Sequence, residues 1–252
     1  MKLGVYQGRA DATRDERLAG LARHVAGQGC DLVLCPELFA TGYDQTAEFD
    51  ALAEAPDGPF GQEMAALARA HGTAMAWGYA ERGAGKLHNS AALIGADGAL
   101  IANHRKRICA PQSFEARVFA TGDAVTFAEL RGIRLAIVIC YEVEFPETLR
   151  QAAQGGAQLV LAPTALGAEW GVVAEKMVPT RAFENGIYLA YADHAGQAGG
   201  LGFYGGSRIV APDGEETCVT VGAEGFAAAR IDLARVEAAQ ARLPYLVDCR
   251  KL

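Results

Sequence analysis

Three residues at the ends of apolar runs carry side chains that together could activate a thiol. Cys140 closes the run "IRLAIVIC" (133–140), and the chain then turns acidic in "YEVEFPE" (141–147). Glu37 follows "LVLCP" (32–36), and Lys106 follows "ALIANHR" (99–105). A thiol attacks poorly until its proton is removed, and a neighbouring carboxylate can take that proton as general base. An ammonium held beside both would steady the negative oxygen that forms when sulfur adds to a carbonyl. The backbone N–H of Tyr141, next after the thiol, would be a second donor to that oxygen. A buried lysine stays charged in such a place because its partners favour the charged form against desolvation. Each residue also has an ordinary alternative: a core cysteine, a carboxylate at a helix start, a solvated surface lysine. Glu37 and Lys106 lie 69 positions apart, and Lys106 and Cys140 lie 34 apart, so spacing alone does not join them.

The elements that would position these residues alternate. "KLGVYQG" (2–8) reads as a strand, and "RDERLAGLARHVAGQG" (14–29) as an amphipathic helix stopped by Gly27 and Gly29. "CDLVLCPELF" (30–39) is the next buried strand; helix "PFGQEMAALARAHG" (59–72) and strand "TAMAWGYAER" (73–82) follow. This rhythm indicates helices covering a sheet. Two hairpins interrupt it, "NSAALIGADGALIANHRK" (89–106) and "GGSRIVAPDGEETCVTV" (205–221), each turning at Asp-Gly, which supplies positive φ. Strand ends on one sheet edge converge, which would bring Glu37, Lys106 and Cys140 together. There is an internal echo: "GCDLVLCPELF" (29–39) and "GAQLVLAPTAL" (156–166) share apolar positions and a proline in register. Two similar helix-on-sheet halves with facing sheets make a four-layer αββα sandwich, an α/β fold, expected as one domain over residues 1–252.

The bulk composition excludes several classes. The 252 residues are 51% hydrophobic and 21% charged, enough for a sizeable core. A formal net charge of −7, with no basic run beyond 104–107, argues against a nucleic-acid partner. The apolar stretches are of strand length, so no membrane span is expected. Polar residues arrive too early in "MKLGVYQGRADATRDER" for an export signal, so a cytoplasmic protein is expected. The six cysteines at 30, 35, 109, 140, 218 and 249 lack close pairing and read as free thiols. The five histidines show no ligand spacing, and no metal is expected.

"CPELFATGY" (35–43), "NHRKRI" (103–108) and "IVICYEVEFPE" (137–147) closely resemble the three signature segments of the carbon–nitrogen hydrolase (nitrilase) superfamily. "FATGD" (119–123), "RAFENGIYLAYADHAG" (181–196) and "SRIVAPDG" (207–214) resemble its intervening segments, in its order. The resemblance covers nearly the whole chain. It implies an αββα sandwich, no metal or organic cofactor, a homodimer or larger assembly, and a catalytic triad. Carried onto this chain, Glu37 is the base, Lys106 supports the oxyanion and Cys140 is the nucleophile. Glu115, in "APQSFEARVFATGD", fits the place of a second family glutamate that positions the substrate nitrogen and holds the lysine. Arg181, Glu184 and Asn185 are expected as a buried structural salt bridge and cap.

The family's amidases, nitrilases and N-carbamoyl hydrolases share this chemistry. Members acting on carbamoyl amino acids tend to carry arginine just after the nucleophile, where its fork holds a carboxylate. Here Glu142 and Glu144 stand instead, and acids at the mouth suit neutral or cationic substrates. "LAEAPDGP" (52–59), "GYAERG" (78–83) and "LPYLVDCRKL" (243–252) further resemble bacterial amidases of ω-amino acid amides, such as 5-aminopentanamide, and related stereoselective amidases. A small aliphatic or ω-amino primary amide, with water, is therefore the expected substrate. Tyr43, Tyr141, Glu144, Thr164, Ala165 and Trp170 are the candidate substrate-binding residues, Thr164 and Ala165 because the echo sets them opposite Glu37. A nitrilase or carbamoyl hydrolase on the same triad is the alternative within enzymes. A silent binding or regulatory member is the alternative outside them, and it would not need all three triad residues.

Overall fold

The computed structural model describes residues 1–44, 48–111 and 113–251. In chain order its strands are β1 (Lys2–Gln7), β2 (Leu32–Leu34), β3 (Ala74–Arg82), β4 (Leu87–Ile94), β5 (Leu100–Arg105), β6 (Thr126–Leu130) and β7 (Ile133–Ile137). They continue with β8 (Leu159–Pro163), β9 (Tyr188–Ala192), β10 (Gly196–Ala198), β11 (Leu201–Phe203), β12 (Arg208–Val210), β13 (Glu216–Cys218) and β14 (Gly225–Arg230). The main helices are α1 (Arg14–Val25), α2 (Phe49–Leu52), α3 (Pro59–His71), α4 (Glu115–Val118), α5 (Pro146–Gln154), α6 (Val178–Asn185), α7 (Leu233–Arg242) and α8 (Tyr245–Asp248).

Period-two alternation sorts the strand residues into layers. Leu3, Val5, Leu32, Leu34, Leu135, Ile137, Leu159 and Leu161 face inward and form one core between two six-stranded sheets. The alternate residues face out. Val33, Cys35 and Met75 pack with Leu21 of α1 and Met64 of α3; Ala136 and Val160 pack with Leu149 of α5 and Ala182 of α6. The result is the expected αββα sandwich. α1 starts on a capping box between Thr13 and Glu16, which satisfies orphan N–H groups, and stops before the left-handed Gly27. α3 begins at Pro59 and ends on the left-handed Gly72.

The internal echo extends to whole sheets. One sheet runs β14-β1-β2-β3-β4-β5 and the other β6-β7-β8-β9-β12-β13. In each, three parallel strands are followed by an antiparallel hairpin. Both hairpins turn alike. Gly98 and Gly214 take φ of +80° and +90°, and Asp97 and Asp213 accept the N–H of Ala99 (3.0 Å) and Glu215 (3.3 Å).

The strand expected over 30–39 is much shorter than its apolar run, ending at Leu34. Glu37 instead donates its N–H to Thr164 O of the other half at 3.2 Å, and Leu38 turns left-handed at φ +47°. The chain leaves its own sheet to reach across. Gly78 on β3 makes room, since a Cβ there would lie 2.3 Å from Leu38 N and 2.5 Å from Glu37 Cα.

Candidate active site

Lys106 ends the β4–β5 hairpin and is 1% exposed. Its Nζ donates to Glu37 Oε1 at 2.7 Å and lies 2.8 and 2.7 Å from the two carboxylate oxygens of Glu115. Asn89, opposite Lys106 on the hairpin, donates its Nδ2–H to Glu37 Oε1 at 2.6 Å. Tyr43 donates its hydroxyl to Glu115 Oε1 at 2.5 Å, and Ala110 N–H reaches Glu115 Oε2 at 3.3 Å. Lys106 and Asn89 thus converge on Glu37 Oε1, while Glu37 Oε2 is buried without a hydrogen-bond partner. One oxygen is anchored, and the other keeps a lone pair for an incoming proton.

Cys140 lies three residues beyond β7, at the start of a 3₁₀ turn over Cys140–Glu144. Its φ of +48° is costly for a residue with a Cβ, about 1–3 kcal/mol, and aims the side chain off the strand. The Ala165 N–H is directed at its sulfur. Burial pushes the thiol well above its ordinary pKa and the Glu37 charge adds to this, while the Lys106 charge and the Ala165 N–H pull the other way. Burial also raises the Glu37 carboxyl, partly opposed by Lys106. Burial would discharge Lys106, but the charges of Glu37 and Glu115 outweigh it and hold the ammonium well above its usual range. The resting arrangement is therefore a neutral thiol, an ammonium, and a carboxylate of raised proton affinity. No thiolate is stored in this arrangement.

The sequence-selected residues divide plainly. Glu37, Lys106, Glu115, Tyr43 and Cys140 are buried together. Thr164 and Ala165 stand against them, one accepting the Glu37 N–H and the other facing the sulfur. Tyr141 follows Cys140 in the 3₁₀ turn, with its ring edge-on to Phe145 at 5.0 Å. Glu144 is half-buried, its carboxyl raised by burial and lowered by the charges of Lys106 and Arg181. Trp170 stands 58% exposed on the turn Ala168–Trp170, outside this buried group. Arg181 pairs with Glu184 at 3.1 Å and donates to the carbonyls of Val143 (3.3 Å) and Glu144 (2.7 Å), bracing the turn that follows the thiol.

The expectation for Glu142 is corrected: it is wholly buried and turned inward, away from any mouth. Its Oε2 accepts from Ile139 N–H (2.8 Å) and pairs with His104 Nε2 (2.9 Å); its Oε1 accepts from Arg107 Nε (2.8 Å). The side chain thus ties the residue before Cys140 to the residue after Lys106. Glu142, His104, Arg107 and Asn89 are the positioning residues that the sequence reading missed. Among the described residues, no group of three or more His, Cys, Asp or Glu side chains is placed to hold a metal ion, and no helix is long and apolar enough to cross a membrane.

A profile of the carbon–nitrogen hydrolase family matches residues 4–241. The chain belongs to the carbon–nitrogen hydrolase family. Over 87% of its length it is 38% identical to a hydrolase from the pqqF 5′ region of Pseudomonas protegens, 78% of which is covered. It is 31% identical, again over 87%, to an (R)-stereoselective amidase of a Pseudomonas species, 80% of which is covered. The crystal structure of an amidase from Nesterenkonia sp. superposes with a TM-score of 0.83 at 31% identity, covering 97% of this chain and 95% of that one. In a variant of that amidase the acetamide moiety of fluoroacetamide is added covalently at the active-site cysteine. The carbon–nitrogen hydrolase fold is thus shared over essentially the full chain.

Proposed function

We propose that this carbon–nitrogen hydrolase is an amidase converting a small primary amide to its carboxylic acid and ammonia through a thioester on Cys140. The observation that carries the reading is the unpartnered Oε2 of Glu37, in a buried group whose other oxygen is fixed by Lys106 and Asn89. As Cys140 sulfur bonds to the amide carbon, its proton passes to Glu37 Oε2 and the carbonyl electrons move onto oxygen. Lys106 and the Tyr141 N–H stabilise that oxygen. Glu37 returns the proton to nitrogen, the C–N bond breaks and ammonia leaves. Water then adds to the thioester, giving its proton to Glu37. Collapse breaks the C–S bond, and the thiol takes that proton back. Glu115 holds Lys106 and orients the departing nitrogen. The acetamide adduct at the active-site cysteine of the Nesterenkonia amidase supports reading the equivalent sulfur here as a nucleophile.

The substrate we favour is an aliphatic or ω-amino amide such as 5-aminopentanamide, with Tyr43, Thr164 and Ala165 around the acyl group and Glu144 toward an amine tail. Trp170 joins the pocket only from its rim. Activity as a cytoplasmic homodimer or larger assembly belongs to the same proposal. Ammonia release from a panel of amides, nitriles and ureides tests it. Amides should turn over, and Cys140→Ala should not act on any of them. Turnover of nitriles or ureides but not amides would select the alternative chemistries; no turnover of any would select a silent member. Glu144→Gln should weaken 5-aminopentanamide more than pentanamide, and equal effects would remove Glu144 from amine recognition.

A further inference from the structure

The chain just beyond β9 is laced to both sheets around the site. Asp193, wholly buried, accepts the N–H groups of Leu166 (2.8 Å), His194 (2.8 Å) and Gly205 (2.9 Å). His194 is 1% exposed, and its Nε2 lies 2.7 Å from the carbonyl oxygen of Glu37. A carbonyl only accepts, so that nitrogen carries the proton. Ala195 then donates its N–H to Gly8 O at 2.9 Å and accepts from Ala10 N–H at 2.8 Å. β9 belongs to one sheet, whereas Gly8, Ala10 and Glu37 follow strands of the other. Residues 193–195 therefore form a strap between sheets at the site end of the sandwich.

The strap touches both reacting partners through the backbone. The Glu37 N–H is held by Thr164 O and its C=O by His194, so the peptide groups on either side of its Cα are fixed from the opposite sheet. Asp193 meanwhile holds Leu166 N–H, one residue after the Ala165 N–H that faces the sulfur. We propose that His194 is a positioning residue for the reaction, its Nε2–H fixing the Glu37 backbone so that the free Oε2 stays at the thiol. The proposal rests on the reading of Glu37 as base. The ring transfers no proton in it. Burial lowers its pKa to about 4, so it is a neutral, constant donor near neutrality. Its ring also packs on Phe203, with centroids 5.5 Å apart.

Two substitutions separate the donor from the ring. His194→Phe keeps an aromatic against Phe203 and removes the N–H; His194→Gln returns an amide N–H near the place of Nε2. Misplacing a base by a fraction of an ångström to 1 Å costs up to about 10²-fold in rate, so His194→Phe should lower kcat on the order of 10²-fold. KM should stay within about twofold, because a group acting through the base is felt in the transition state rather than in ground-state binding. His194→Gln should recover most of the loss. The idea is overturned if His194→Phe keeps kcat, if only KM moves, or if Gln falls as far as Phe while Glu37→Gln is inactive. An active Glu37→Gln would instead refute the base assignment beneath it. Should His194→Phe fail to fold, His194→Asn, whose amide is too short to reach, replaces it; equal rates for Asn and Gln would overturn the proposal.

Discussion

Replacing Glu142 by glutamine tests whether this residue braces the site from inside or recognises substrate at its mouth. One carboxylate oxygen serves Ile139 N–H and His104, and the other serves Arg107 Nε. Glutamine keeps one acceptor, and its NH₂ must face donors on the other side whichever way the amide turns. At least one charge-assisted bond is lost, worth about 1.5–3 kcal/mol. Removing one partner of a buried ion pair costs about 3–5 kcal/mol in general. Arg107 is 16% exposed and also reaches Thr148 and Gln151, so part of its charge is relieved elsewhere. The expected loss is therefore about 3 kcal/mol, at the low end of that range. At about 2–4 °C per kcal/mol for a chain of this size, Tm should drop by about 6–12 °C.

The same substitution carries a pH signature. Burial raises the Glu142 carboxyl, but the hydrogen bond and charge of His104, the Ile139 N–H and Arg107 outweigh it and hold the group below its ordinary value. A carboxyl depressed on folding contributes stability that is complete above its unfolded titration range and lost as pH falls through the folded value. The gap between wild type and Glu142→Gln should thus be full at neutral pH and close in acid. Thermal and urea melts of both proteins, at neutral pH and across the acid range, measure it. Glu144→Gln, half-exposed, is the control and should cost less than about 0.5 kcal/mol. A Tm change under about 2 °C for Glu142→Gln, or equal losses for both variants, would refute the inward bracing.

Lys106→Met should stop turnover by at least about 10³-fold, through loss of the oxyanion donor and of the base together. Without the ammonium, burial and the neighbouring Glu115 charge act on Glu37 unopposed by Lys106, so its carboxyl should take up a proton at higher pH than in wild type by potentiometric titration; rates within tenfold of wild type would contradict the role of Lys106. Gly78→Ala drives a Cβ into the backbone of Glu37 and Leu38 and should cut kcat by about 10²-fold with the circular-dichroism spectrum retained; unchanged kcat would mean the Glu37 loop yields freely.

That Glu37, Lys106 and Cys140 come together was legible from the three family-like segments that carry them, and the layered fold because apolar runs alternate with helical stretches. What escaped is local geometry. Register counted from the Asp97-Gly98 turn is displaced by the irregularity between Leu93 and Ile94, so only the structure sets Asn89 opposite Lys106. Glu142 and Glu144 look equivalent when the acidic stretch is imagined running outward. In a 3₁₀ turn with three residues per turn they point about 120° apart around the axis, which sends Glu142 back to its own strand and leaves Glu144 half-buried. The strap at 193–195 sets the side chains of Asp193 and His194 on main-chain partners, and which peptide groups those are carries no residue-type signal. Trp170 is a candidate pocket residue by sequence, but the turn closed by its N–H on Gly167 O leaves its ring exposed.

The charge pattern of the site explains why so buried a thiol can be used at all. A stored thiolate would place a second anion beside Glu37 where burial already opposes it, and the thiol is accordingly held neutral. In the proposed step one proton passes from sulfur to Glu37 as one negative charge appears on the substrate oxygen. The total charge of the buried group does not change; the anion only moves from the carboxylate to the oxygen, both within reach of Lys106. Glu115, anchored by Tyr43 and Ala110, keeps the ammonium paired when Glu37 becomes neutral. In the proposed step the second glutamate thus keeps a carboxylate on Lys106 while the first holds the proton.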